Sequence, residues 1–326
     1  MDGNRAQGAM RSGSKTSQAR QLARARPDEV LDVHRRMIGA SAAHSRMIET
    51  RSGRRVHVIE VGEGAPVVFL HGSGTSALSA LSLVEHLEGV RIVAVDRPGY
   101  GLSDPVNVPR ERFREAAVEF LDETIDELGM DSVALAGGSM GATWALWYAL
   151  ARPGRVRRLA LLGSAPLLPG TRAPAPLRVM AAPVVGELLP RLVKPSAKVV
   201  VRMMSSMGEG ETIVHHPDLI DAIVAAGRDP IASATDLAEF RAILTPLGFR
   251  RSLRVQPSEL HHLTVPTLLI WGDHDPVGTV DVAQAVASLI PDAQLDVVAA
   301  GHAVWLGDPK RIAGLLCTFV QAGGDR

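Results

Sequence analysis

The stretch Ser132-Val133-Ala134-Leu135-Ala136-Gly137-Gly138-Ser139-Met140-Gly141 runs from a short apolar strand through a glycine-rich turn, and Ala142-Thr143-Trp144-Ala145-Leu146-Trp147-Tyr148-Ala149-Leu150 continues it as an apolar helix. A serine at such a turn sits in a strained backbone with its hydroxyl above the sheet. Glycines on either side let strand and helix approach without Cβ clashes. Ser139 is therefore the candidate nucleophile. A Gly-x-Ser-x-Gly match is weak by itself, because loops collect both residue types. It gains meaning only if the chain also supplies a base, an acid and oxyanion donors.

Outward from this turn the pattern repeats. Pro66-Val67-Val68-Phe69-Leu70 ends in His71-Gly72-Ser73-Gly74, and Arg91-Ile92-Val93-Ala94-Val95 ends in Asp96-Arg97-Pro98-Gly99-Tyr100-Gly101-Leu102-Ser103-Asp104. Short continuous apolar runs of this kind predict strands buried on both faces, as in a parallel sheet. Helical patterns separate them: 77–87, and 112–128, where Phe113, Ala117, Phe120, Leu121, Ile125 and Leu128 form one stripe. Residues 157–163 read as the next strand. Ahead of the sheet, 27–43 predicts an amphipathic helix. The alternating runs 46–50 and 55–61 around Ser52-Gly53 predict an antiparallel hairpin at the edge. Strands alternating with helices imply right-handed crossovers and a ligand site at the carboxyl ends of the strands.

Between 164 and 263 the pattern changes. Prolines recur, Met180, Met203, Met204 and Met207 gather, and the periodicity is helical, so an inserted helical cap is expected. Its methionines suit either a flexible apolar pocket or ordinary helix packing. The sheet resumes at Val265-Pro266-Thr267-Leu268-Leu269-Ile270-Trp271, followed by Gly272-Asp273-His274-Asp275. A helix near 280–289, a strand at 294–298, the loop Ala300-Gly301-His302 and a helix at 309–321 complete the chain. The expected organisation is a basic, disordered tail over 1–26, a core of 27–163 and 264–326, and the cap at 164–263.

Composition narrows the function. The 326 residues are 46% hydrophobic, enough for one large core with an insertion. Lys+Arg and Asp+Glu both total 35, so no net charge draws the chain to nucleic acid or anionic membrane. No apolar run reaches the roughly 20 residues needed to span a bilayer, and the N-terminus lacks the apolar stretch of a secretory signal. Cys317 stands alone, so no intramolecular disulfide can form, which fits a reducing compartment. A cytoplasmic protein acting on a small, largely apolar molecule is expected, with no nucleic-acid partner, no membrane span, and room for a homodimer. His215-His216 and His261-His262 are adjacent pairs rather than spaced ligands, and predict no metal site.

A serine hydroxyl needs an adjacent imidazole, and the imidazole a carboxylate that fixes its tautomer. Asp275 follows one strand and His302 the next, which gives the chain order serine, acid, histidine. Asp273, two residues earlier, is the competing acid. With His71-Gly72-Ser73-Gly74, Asp96 to Ser103, Gly137 to Gly141, Trp271 to Asp275 and Gly301-His302 all at strand ends, the chain from about His44 onward resembles the α/β-hydrolase superfamily. The resemblance implies an α/β-hydrolase fold, mostly parallel sheet with flanking helices and a helical cap. It also implies Ser139 as nucleophile, His302 as base and Asp275 as acid, and no cofactor. The oxyanion donors would be the backbone amides of Ser73 and Met140. Asp96, Arg97, Tyr100 and Gly101 resemble the family's structural loop beside the site.

The leading expectation is hydrolysis of a carboxylic ester of a small, largely apolar substrate through an acyl-enzyme on Ser139. The alternative within the family is hydrolysis of a carbon–carbon bond in a vinylogous diketone. Those enzymes typically continue the oxyanion loop with Pro-Gly, whereas Thr75-Ser76 follows Gly74 here, and Val304-Trp305 replaces their aromatic-polar run after the histidine. A perhydrolase, a biosynthetic acyl-transfer enzyme and a non-catalytic ligand-binding protein of the same fold complete the set, since fold does not dictate function.

Overall fold

The computed structural model describes residues 26–322 except 181, 183, 184 and 186–192. The tail expected over 1–26 lies outside these residues, save for its last member. Arg26 is buried: its guanidinium donates to the carbonyls of Gly99 and Ser103 and pairs with Asp229.

An eight-stranded sheet carries the fold. Its strands are β1 (His44–Glu49), β2 (Arg55–Gly62), β3 (Ala65–Leu70), β4 (Val90–Val95), β5 (Val133–Gly138), β6 (Val156–Leu162), β9 (Thr267–Gly272) and β10 (Ala293–Val298), in the order β1-β2-β4-β3-β5-β6-β9-β10. β2 pairs antiparallel with both β1 and β4, and the remaining pairs are parallel. The apolar runs are buried on both faces because successive strand residues point to opposite sides. Val68 and Leu70 of β3 join one hydrophobic cluster, and Val67 and Phe69 join the other.

Helices cover both faces. On one side lie α2 (Phe113–Glu127) and α3 (Met140–Ala151). α3 is apolar all round and buried from Met140 to Ala149, as a helix sealed between a sheet and a second helix should be. Phe113 packs edge-on against Trp144 and Trp147. The other face is covered by α11 (Pro309–Gln321) and a 3₁₀ segment at Ala77–His86, within the helical pattern expected over 77–87. α10 (Val280–Leu289) packs against β9 and β10. Cys317 is buried on α11.

α1 (Asp28–Gly39) docks at the antiparallel edge through a polar chain: His34 Nε2 lies 3.0 Å from Ser45 Oγ, which lies 2.7 Å from His57 Nε2. His57 Nδ1 donates to Asp96 Oδ2 at 2.7 Å. Asp96 is thereby held well down, to about 2, and burial lowers His34 to about 4.

Between β6 and β9 the described residues form α4 (Ala175–Met180), α5 (Ala197–Ser206), α6 (Gly210–Ile213), α7 (Pro217–Arg228), α8 (Pro230–Ile243) and α9 (Pro257–His261). One difference from the helix-only expectation is a small antiparallel pair, β7 (Leu244–Thr245) and β8 (Gly248–Phe249). Pro246-Leu247 between them can only turn, and Leu247 is 93% exposed.

Candidate active site

Gly137 pairs with Leu70 on the neighbouring strand, so the turn after β5 emerges at the carboxyl edge of the sheet beside the loop that follows β3. Ser139 occupies this turn with φ 53° and ψ −118°, a left-side conformation that L-residues rarely adopt. The glycines at both ends of the motif are dictated by backbone. A Cβ on Gly137 would stand 2.5 Å from the Gly141 carbonyl carbon, and one on Gly141 would stand 2.1 Å from the Leu70 oxygen.

The loops after β9 and β10 bring up the partners. Ser139 Oγ lies 2.7 Å from His302 Nε2, and His302 Nδ1 lies 3.0 and 3.1 Å from the two carboxylate oxygens of Asp275. Asp275 also accepts the Ser164 and Val277 amides at 2.9 Å each. With Nδ1 donating to Asp275, Nε2 is left as the acceptor for the serine hydroxyl. His302 and these amide donors hold the Asp275 carboxyl below its usual range despite burial. Asp273 is turned away: its Oδ1 faces His274 Nδ1 at 2.6 Å and accepts the Ala300 amide. The structure thus brings Ser139, His302 and Asp275 together and leaves Asp273 outside. Ser139 itself is only half-buried, within reach of a ligand.

Met140 opens α3, so its amide has no carbonyl within the helix to serve, and the helix dipole favours negative charge there. Ser73 lies on the loop after β3, where a Cβ on the preceding Gly72 would sit 3.2 Å from the Ser139 Cβ. Among the described residues neither amide donates to a protein acceptor.

Two groups reach the site from the helical segment, and of their residues the sequence reading named only Met207, as one of the gathered methionines. Met207 O accepts the His302 amide and Glu209 Oε1 accepts the Ala303 amide, both at 2.9 Å, so residues 207–209 clasp the histidine loop. Glu209 is fully buried, its Oε2 has no partner among the described residues, and burial pushes its pKa up. From α8, Asp236 and Glu239 meet the loop after β3 and the buried pair Arg97 and Tyr100. Spacing of three on one helix was the available signal, but an acidic pair on a helix more often faces water. Among the described residues Arg97 and Tyr100 hydrogen-bond Glu239, Asp236 and the His71 loop and none of the three triad side chains. His216 and His262 each bond a main-chain carbonyl, those of Leu306 and Ser258. Met203 is exposed, whereas Met204 and Met207 pack on the core.

These groups make stability pH-dependent. His34 and His71 are both lowered to about 4 by burial, whereas their unfolded value is near 6.5. The unfolded chain therefore binds more protons between those values, and stability falls as pH drops through the window. Asp236, pushed up to about 6 by burial, and Glu209 act in the opposite sense and return part of the loss. Unfolding free energy is expected to fall by about 2 kcal/mol between pH 7 and 4.5. Urea titrations at the two pH values check this, and an equal or higher midpoint at pH 4.5 contradicts it.

A parallel sheet with a serine turn after its central strand, and acid and histidine on later strand ends, defines the class. The chain belongs to the α/β-hydrolase family and is a hydrolase by homology; residues 65–191 match the family model described as alpha/beta hydrolase fold. Among curated proteins it is 32% identical over 273 residues to 2-hydroxy-6-oxononadienedioate/2-hydroxy-6-oxononatrienedioate hydrolase of Cupriavidus pinatubonensis, spanning 78% of this chain and 88% of that protein. Among solved structures it resembles a carboxylesterase from Bacillus subtilis, with TM-score 0.67, 21% identity, and coverage of 91% of this chain and 100% of that one. It also resembles a meta-cleavage product hydrolase from Pseudomonas fluorescens IP01, with TM-score 0.65, 22% identity, and coverage of 85% and 97%. At those identities the two structures speak to the fold alone. Among the described residues no helix is long and apolar enough to cross a membrane.

Proposed function

We propose that the chain hydrolyses a carbon–carbon bond next to a ketone, in a vinylogous diketone of the kind its curated relatives act on, through an acyl-enzyme on Ser139. The geometry supports the serine chemistry, and the 32% identity to a hydrolase over most of that protein's length supports the substrate class. This reverses the order of the two readings drawn from sequence. The departures at Thr75-Ser76 and Val304-Trp305 are outweighed by similarity that runs the length of the fold.

The chemistry follows from the triad. Ser139 Oγ attacks the ketone carbon while His302 Nε2 takes its proton, and the Ser73 and Met140 amides receive the oxyanion. The carbon–carbon bond breaks with its electron pair drawn into the conjugated carbonyl of the leaving fragment, and His302 returns the proton to that fragment. Water, deprotonated by His302, then releases the acyl group as a carboxylic acid. Asp275 orients the imidazole and stabilises its charged form throughout.

Ester hydrolysis remains the second reading, and one observation favours it. Thr75-Ser76 after Gly74 and Val304-Trp305 after the histidine are the positions at which this chain departs from the diketone-cleaving enzymes it resembles.

Incubation with a fluorophosphonate, read by intact mass, is expected to give one adduct on Ser139 that is absent from Ser139→Ala and slowed at least about 100-fold in His302→Ala. Folded protein that takes no adduct sinks both readings and moves the ligand-binding alternative forward. Comparison of kcat/KM on a 2-hydroxy-6-oxodienoate with that on p-nitrophenyl esters then separates the two, with the diketone expected to be preferred.

A further inference from the structure

The loop His71-Gly72-Ser73-Gly74 is anchored through the His71 ring and carbonyl, the Ser73 hydroxyl and the Gly74 amide. Arg97 donates its amide to His71 Nε2 at 3.0 Å and its Nε to the His71 carbonyl at 2.9 Å, and His71 Nδ1 donates to Gly72 O at 2.7 Å. The Ser73 hydroxyl donates to Glu239, and the Gly74 amide donates to Asp236 Oδ1 at 2.9 Å. Tyr100 ties the acids together, its hydroxyl 2.7 Å from Asp236 Oδ1 and 3.1 Å from Glu239 Oε1. Arg97, fully buried and stacked over Tyr100 at 4.7 Å, pairs with Glu239. Among the described residues the Ser73 amide, the donor an oxyanion would use, donates to no protein acceptor.

We infer that Asp236 and Glu239 of α8 are positioning residues that fix the oxyanion loop, so that the helical insertion builds part of the catalytic machinery. The inference rests on the acyl-enzyme reading of Ser139 above. Its physical ground is preorganisation: an amide worth several kcal/mol in the transition state acts only if its direction is fixed beforehand. Two acceptors holding the hydroxyl and the amide that flank the Ser73 donor set that direction. Arg97 offsets the charge of Glu239, and the Tyr100 hydroxyl and Gly74 amide satisfy Asp236, so the pair does not repel the developing oxyanion as bare carboxylates would.

A pH signature accompanies the geometry. Asp236 faces Glu239 on its own helix and Arg97, Tyr100 and the Gly74 amide across it, and burial raises it to about 6. Above that value its ionised oxygen accepts strongly, and below it the hold on Gly74 weakens. Activity should therefore fall through pH 6 by a step that is additional to the requirement for unprotonated His302.

The test uses Asp236→Ala, Asp236→Asn and Ser73→Ala, each in the full chain and each checked by thermal unfolding. The asparagine keeps an acceptor oxygen for Gly74 and Tyr100 but does not titrate, and Ser73→Ala keeps the amide while releasing its side-chain anchor. Asp236→Ala is expected to lower kcat and the fluorophosphonate labelling rate at least about 30-fold with KM within about threefold. Asp236→Asn should recover most of that rate and lose the step near pH 6, and Ser73→Ala should slow labelling about fivefold. If Asp236→Ala does not fold, the pH profile of Asp236→Asn and the labelling rate of Ser73→Ala still decide. Wild-type rates in Asp236→Ala, equal losses in the alanine and asparagine variants, or an unchanged step in Asp236→Asn each overturn the inference. Absence of labelling in the wild-type protein would instead overturn the reading of Ser139 on which it stands.

Discussion

Asp275→Asn is expected to lower kcat by about 10⁴-fold, while Asp273→Asn stays within about twofold of the parent. The two aspartates are two residues apart on one loop, yet their surroundings differ entirely. Asp275 is 4% exposed, faces His302 Nδ1 at 3.0 and 3.1 Å, and is locked by the Ser164 and Val277 amides. An amide in its place can present its NH₂ to Nδ1, which forces the imidazole proton onto Nε2, where it can no longer accept from Ser139. The Asp273 carboxylate accepts the Ala300 amide and faces His274 Nδ1, and among the described residues it makes no hydrogen bond to His302 or Ser139. Steady-state kinetics on any ester or diketone the protein turns over checks both variants together. Comparable losses in the two would show that the loop rearranges in solution.

Gly141→Ala should destabilise the fold by about 3 kcal/mol or more, a fall in Tm of roughly 6–12 °C, and abolish labelling at Ser139. Its new Cβ would lie 2.1 Å from Leu70 O and 2.6 Å from His71 O, main-chain atoms of β3 and of the oxyanion loop that cannot swing aside as a side chain does. Relief requires α3 to retreat from the sheet, which carries Trp144, Trp147 and Tyr148 out of the core they fill. Gly314 is the control. It lies in α11 with nothing within 4 Å of a built Cβ, so Gly314→Ala should be neutral or stabilising by about 0.5–1 kcal/mol. Differential scanning calorimetry on the two alanine variants separates crowding at the serine turn from a general cost of replacing glycine.

Most of the sheet was legible because burial on both faces writes itself as apolar runs, and such runs leave little choice of register or layer. β3, β4 and β9 lie within two residues of their expected bounds, and α10 and α11 match theirs. The triad was legible for a related reason. Its members follow successive strand ends in the chain order serine, acid, histidine, which left only the choice between Asp275 and Asp273, two residues apart on one loop. The contribution of the insertion was not legible. Glu209, Asp236 and Glu239 sit in helices or short loops whose polar residues resemble those of any solvated face, and their partners lie far off in sequence, Arg97 being 142 residues from Glu239. Local pattern cannot report a contact of that span. The helical pattern at 77–87 left open which helix type forms, since periodicity alone does not distinguish them, and Ala77–His86 is 3₁₀.

The clasp of Met207 and Glu209 on the histidine loop, together with the hold of α8 on the loop after β3, bears on how such proteins can be recombined. An insertion exchanged for that of a relative would alter substrate choice and at the same time remove the acceptor of the His302 amide and the anchors of Ser73 and Gly74. A chimera that carries a foreign insertion should therefore lose turnover on every substrate alike, unless the segment 207–209 and the pair Asp236 and Glu239 are transplanted along with the core that reads them.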